Sequence, residues 1–231
     1  MLKIKYILIP FIIAAAFLQT ARAFAWTGPV HEKAALAAVK YFPAPIQDII
    51  SPNKKAYLEG IRTEQELYEK ILDENKTFSV ELLRVRGFER YVYHLQRLKF
   101  FFDKKSNPAA VANEIGMFTR SALDLMEPFP SGDSFRPLEI EGHRIFFIND
   151  FETFYKNFHF MYDGSQLIKD LPKRLDNDLA LANSKGLLIY NSYRKGTGFE
   201  AIEDDAQAVL NRTLNLLTDQ LYTMYQSRKG G

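Results

Sequence analysis

In the run Asn157-Phe158-His159-Phe160-Met161-Tyr162-Asp163, an imidazole and a carboxylate stand four residues apart. On a helix that spacing places His159 and Asp163 one above the other on a single face. Nitrogen and oxygen donors so placed can share a metal ion, and zinc accepts both. The alternative is a His–Asp surface pair that adds about 0.2–0.5 kcal/mol to the helix.

The other histidines are His31, His94 and His143. His31 stands five residues after Trp26, at the entry of the first expected helix. If an export segment is removed immediately before Trp26, the freed amine and the carbonyl of that residue form a chelating pair, and His31 would complete the set. Otherwise Trp26 packs under a helix-capping histidine. Asp124 interrupts the apolar run Ala122-Leu123-Asp124-Leu125-Met126. A carboxylate there must be paired or coordinated, because an unpaired buried charge is costly. Arg120, one turn earlier on the same face, is an adequate partner. His94, in Tyr91-Val92-Tyr93-His94, is either a ligand or a hydrogen-bonded core histidine. His143 lies beside Gly142 and is expected to be exposed.

Helices position these residues. Residues 31–41 form an alanine-rich helix closed by Pro43, and a short helix at 46–50 is stopped by Ser51-Pro52-Asn53. A further turn is expected at 55–60, and Thr63-Glu64-Gln65-Glu66 resembles a capping box. From Val80 to Phe102, the apolar residues Leu83, Phe88, Tyr91, Leu95, Leu98 and Phe102 recur at helical spacing. Asn107-Pro108 opens a helix to Met126. Residues 138–148 alternate early and turn at Gly142, which predicts a small β-hairpin. Helices are then expected over 151–171, 175–190 and 199–227, the last with a core stripe of Ile202, Ala206, Val209, Thr213, Leu217, Leu221 and Met224. The expected fold is all-α: one compact multi-helix domain over residues 26–231, carrying a single hairpin.

The chain has 231 residues, 47% of them hydrophobic, enough to bury a substantial core. Residues 1–25 read as a signal peptide, with Lys3 and Lys5 ahead of an apolar stretch from Ile7 to Phe17. Two small-x-small frames compete for cleavage, one releasing a chain at Phe24 and the other at Trp26. The expected address is periplasmic or extracellular. Loss of the segment removes Lys3, Lys5 and Arg22 but no acids, so the formal charge falls from +2 to −1. No global basic field then argues for duplex DNA. The chain has no cysteine, which excludes disulfides, thiolate zinc sites and a catalytic thiol.

Together these residues resemble the zinc-dependent phospholipase C and single-strand-specific nuclease family, exported all-helical hydrolases with three clustered zinc ions. Trp26, Gly28 and His31 match the family's start of the mature chain. Arg120-Ser-Ala-Leu-Asp124-Leu-Met-Glu-Pro128-Phe-Pro130 is similar to its His-x-x-x-Asp-x-x-x-Pro-x-His motif, and Asn157 to Asp163 to its Asn-Leu-His-x-x-Trp-Asp motif. The resemblance implies that Trp26, His31 and Asp124 hold one zinc and that Asp124, the catalytic candidate, bridges to a second ion with His94. It also implies a third zinc on His159 and Asp163. The implied activity is phosphodiester hydrolysis of a phospholipid head group or of single-stranded nucleic acid, with contact at a membrane surface and no protein partner. Arg120 and Pro130 replace two motif histidines, and neither is a zinc ligand at neutral pH. Glu64 is the nearest match to a further family aspartate. These departures imply either a zinc complement below three, or a relative that has lost catalysis and serves as an exported binding or structural module.

Overall fold

A computed structural model describes residues 28–63, 80–104, 106–128 and 137–229. Within them the secondary structure is helical, without a strand. The α-helices are α1 (Gly28–Val39), α2 (Ala44–Ile50), α3 (54–63), α4 (Val80–Asp103), α5 (Pro108–Leu125), α6 (Pro137–Phe154), α7 (Leu171–Lys195) and α8 (Glu203–Lys229). Short 3₁₀ turns sit at Tyr155–Asn157 and Phe199–Ala201. The all-α expectation holds, and among the described residues no helix is long and apolar enough to cross a membrane.

Helix α5 is the hub. Asn107 caps it by accepting from Ala109 N at 2.8 Å, and Pro108 occupies the first turn, where a missing N–H costs nothing. Thirteen of its residues are buried, among them Ile115, Phe118, Ala122 and Leu125. It packs on α4, α2, α1 and α8. It also meets α3 at two glycines. A Cβ on Gly116 would lie 2.1 Å from Tyr57 O, and one on Gly60 would lie 2.0 Å from Asn113 O. Only hydrogen fits at that crossing.

Two expected elements differ. Residues 138–148 lie inside α6, not in a hairpin. The alternation Leu-Glu-Ile-Glu covers only four residues, whereas Phe147, Ile148 and Phe151 are buried on one helical face, with both phenylalanines against Phe199. That burial outweighs the roughly 1 kcal/mol that Gly142 costs within a helix. His143 is accordingly half-buried and meets the Tyr190 ring at 5.5 Å, so the expectation of exposure fails.

The helix expected over 151–171 ends at Phe154, and residues 158–170 form an extended strap. Phe158, Phe160 and Tyr162 alternate with outward-facing residues, a period of two rather than 3.6. Phe158 packs on Phe151 at 4.6 Å, while Phe160 and Tyr162 pack on Tyr41 at 4.9 and 4.7 Å. The strap ends where Asp170 caps α7, accepting from Lys173 N.

Candidate functional site

Asp124 lies in the last turn of α5, and three helices bring cations to it. Arg120 Nε, one turn earlier, is 3.0 Å from both carboxylate oxygens. His31 Nε2, from the start of α1, is 3.2 Å from Oδ1. A guanidinium nitrogen of Arg90, from α4, lies 3.5 Å from Oδ2. The His31 and Arg120 side chains are fully buried, and that of Asp124 is 1% exposed. Burial by itself pushes the Asp124 pKa up; Arg120, His31 and Arg90 outweigh it and hold the carboxyl well below the usual carboxylate range. An ionised carboxylate only accepts, so His31 Nε2 carries a proton toward it.

His94 is committed elsewhere. Its Nδ1 lies 2.6 Å from Glu114 Oε1, and Arg97 Nε lies 3.0 Å from Glu114 Oε2. Glu114 precedes Asp124 by ten residues on α5, about 15 Å of helix rise. The structure therefore joins His31 to Asp124 but gives His94 its own acid. Trp26, Glu64 and Pro130 lie outside the described residues.

His159 and Asp163 do not share a helical face, because both lie in the extended strap. Four residues of strand span about 13 Å, whereas one zinc needs both donors at about 2 Å. Both side chains are exposed. The shared-ion reading of this pair fails for that geometric reason.

What the strap does instead is dock by its backbone on α8. His159 N donates to Gln207 Oε1, and Gln207 Nε2 donates back to His159 O. Met161 N donates to Asn211 Oδ1. Asn215 accepts from Asp163 N and donates to Met161 O. Beyond Gly164, Gln166 N donates to Asp219 Oδ1 and Ile168 N to Thr223 Oγ1. The rungs 207, 211, 215, 219 and 223 recur every four residues. Four residues of helix rise about 6.0 Å and two of strand about 6.7 Å, so the two repeats nearly match. Gly164, at φ +90°, inserts one extra residue, which lets the strap rejoin the ladder at Gln166.

A second ionic cluster lies beneath. Asp178 accepts from Arg174 Nε at 2.8 Å and from Arg212 Nε, and Arg174 also reaches Asp219 at 2.9 Å. Neither this cluster nor the ladder emerges from motif reading. The ladder's signal was present, however: amides, an acid and a threonine at strict four-residue spacing along α8, paired with a period-two aromatic segment.

The zinc site implied by the resemblance can be tested on these donors. A zinc-bound imidazole needs a lone pair on the ligating nitrogen, and a zinc-bound carboxylate needs an available oxygen. His31 Nε2 presents hydrogen to Asp124, whose oxygens both face the permanent charge of Arg120. Among the described residues, no group of three or more His, Cys, Asp or Glu converges on one point. The described donors do not fit a zinc cluster. Comparison with protein-family models, curated proteins and solved structures returned no match.

Proposed function

We propose that this chain is an exported binding or structural module on an all-helical scaffold, in which a fixed guanidinium stands where the resemblance would put metal. The observation that carries the reading is Arg120 Nε at 3.0 Å from both oxygens of a carboxylate that is 1% exposed. Its positive charge meets the electrostatic need of Asp124 without an ion. A buried acid with one partner removed would be costly, so the pair is a self-contained structural unit.

Elemental analysis of the exported protein tests this. The expected result is zinc far below one ion per chain and a melting temperature that a chelator leaves unchanged. Two or three tightly held zincs per chain would overturn the reading. The contact of His31 with Asp124 favours the second reading, a zinc phosphodiesterase, because it joins two of the implied ligands. Zinc-dependent cleavage of lecithin or single-stranded DNA, lost in Asp124→Asn, would establish that alternative.

A further inference from the structure

The strap has a second edge. In an extended chain the N–H and C=O of one residue point to the same edge, and those of the next residue point to the opposite one. The main-chain groups of His159, Met161 and Asp163 that bond to Gln207, Asn211 and Asn215 face α8. Those of Phe160 and Tyr162 therefore face away from it, and among the described residues no group bonds to their N–H or C=O. A strand edge in that state is a template for another strand.

The two faces of the strap differ as well. The rings of Phe160 and Tyr162 lie inward on Tyr41. His159, Met161 and Asp163 point outward and are exposed, Met161 by 64%. The run His159-Phe160-Met161-Tyr162-Asp163 is thus nearly palindromic about Met161, with an aromatic ring on each side and then an imidazole at one end and a carboxylate at the other. A segment of that pattern is complementary to its own reverse.

We infer that the strap pairs antiparallel with the strap of a second copy of this chain, about a two-fold axis at Met161. In that register Phe160 of one copy and Tyr162 of the other form a hydrogen-bonded pair and exchange both main-chain bonds. Their rings meet on the inner face, where aromatic cross-strand pairs stabilise a ribbon. On the outer face Met161 meets its own counterpart, and His159 of each copy stands opposite Asp163 of the other. His159 and Asp163, about 13 Å apart along one strap, become neighbours across two. An imidazole carries an N–H in either charge state, so each carboxylate has a donor. Sliding the register by two residues keeps the main-chain bonding but sets His159 against Met161 or Ser165, so the His–Asp complementarity selects one alignment. The contact is isologous and closes at two copies. The strap shares no residue with the Asp124 cluster, so this pairing goes beyond the proposed function and does not depend on metal content.

Sedimentation equilibrium of the full exported chain should show monomer and dimer in exchange. Position 161 gives a direct readout, because the chain has no cysteine. Across a non-hydrogen-bonded antiparallel pair the Cα atoms lie about 4.5 Å apart, inside the range of roughly 4.4–6.8 Å that a disulfide spans. Under mild oxidation Met161→Cys should form a covalent dimer about tenfold faster than Leu188→Cys, because pairing raises the local thiol concentration. Leu188, on α7, is 50% exposed and serves as the control. His159→Asp sets carboxylates against each other at both ends of the ribbon and should weaken the dimer about tenfold. The double variant His159→Asp/Asp163→His restores both opposite pairs and should recover the wild-type affinity to within about twofold. Both variants keep the main-chain bonds to α8. A chain that stays monomeric at every soluble concentration overturns the inference, and so do equal crosslinking rates at the two cysteine positions. A dimer indifferent to His159→Asp, or one that the double variant does not restore, overturns it as well.

Discussion

Asp124 and the strap both fix polar groups in specific pairs, the first fully buried and the second at the partly exposed surface, and the molecule does so in two different ways. Around Asp124 the solution is ionic: one buried carboxylate with Arg120, His31 and Arg90 around it. Along the strap it is mostly neutral: Gln207, Asn211, Asn215 and Thr223 meet backbone groups one by one, with Asp219 as the ionised rung. Charge concentrates a large energy in one place, so losing one partner strands the others. Amide rungs spread the energy over a repeat, so each is modest and local. The first arrangement locks α1, α4 and α5 at one point, and the second lays a length of chain along a helix.

The contrast breaks most visibly at Arg120. Arg120→Ala leaves Asp124 buried with its closest cation gone, and should cost about 3–5 kcal/mol of global stability in urea unfolding. A loss below about 1 kcal/mol would mean that Arg90 and His31 suffice to hold Asp124.

A single rung should cost less and act locally. Asn215→Ala strands Met161 O and Asp163 N, and the expected loss is about 1–3 kcal/mol. Hydrogen exchange should speed up at strap amides while α5 keeps its protection. Equal acceleration in both regions would show that the strap and the hub open as one unit.

The smallest effect separates the two acids by sign. Asp124 has a lowered folded pKa, so its contribution is complete above the unfolded value of about 3.9 and is lost as pH falls toward the folded value. Asp219 is shifted the other way: burial raises its pKa, outweighing the Gln166 N–H and Arg174 that favour its ionised form. Its cost is present when ionised and fades as pH falls through the raised value. Urea midpoints measured from about pH 6 to about pH 2.5 should therefore fall less steeply in Asp124→Asn than in the wild type, and more steeply in Asp219→Asn. Identical slopes in all three proteins would refute the assignment of opposite signs.

Much of the fold was legible in advance for local reasons. The Asn107-Pro108 entry, the aromatic spacing on α4 and the Arg120–Asp124 pairing each depend on residues within a turn or two of one another. The hairpin over 138–148 was misread because four alternating residues outweighed the buried face formed by Phe147, Ile148 and Phe151. His159 and Asp163 were misread because a four-residue spacing means proximity only on a helix, and the aromatic alternation around them is a strand's period.

The sequence by itself determined a predominantly helical chain without thiol chemistry, with a carboxylate at Asp124 that needed a cation and had one within a turn. Helical propensity, apolar spacing and i, i+4 pairing are local, so the order of residues suffices to express them. Only the tertiary structure decided that Arg90 also reaches Asp124, that His94 belongs to Glu114, and that Gln207 to Thr223 form a ladder for the strap. Those contacts join residues at least 20 positions apart. Such partners are chosen by which helices pack together, and that choice is made by burial over the whole core.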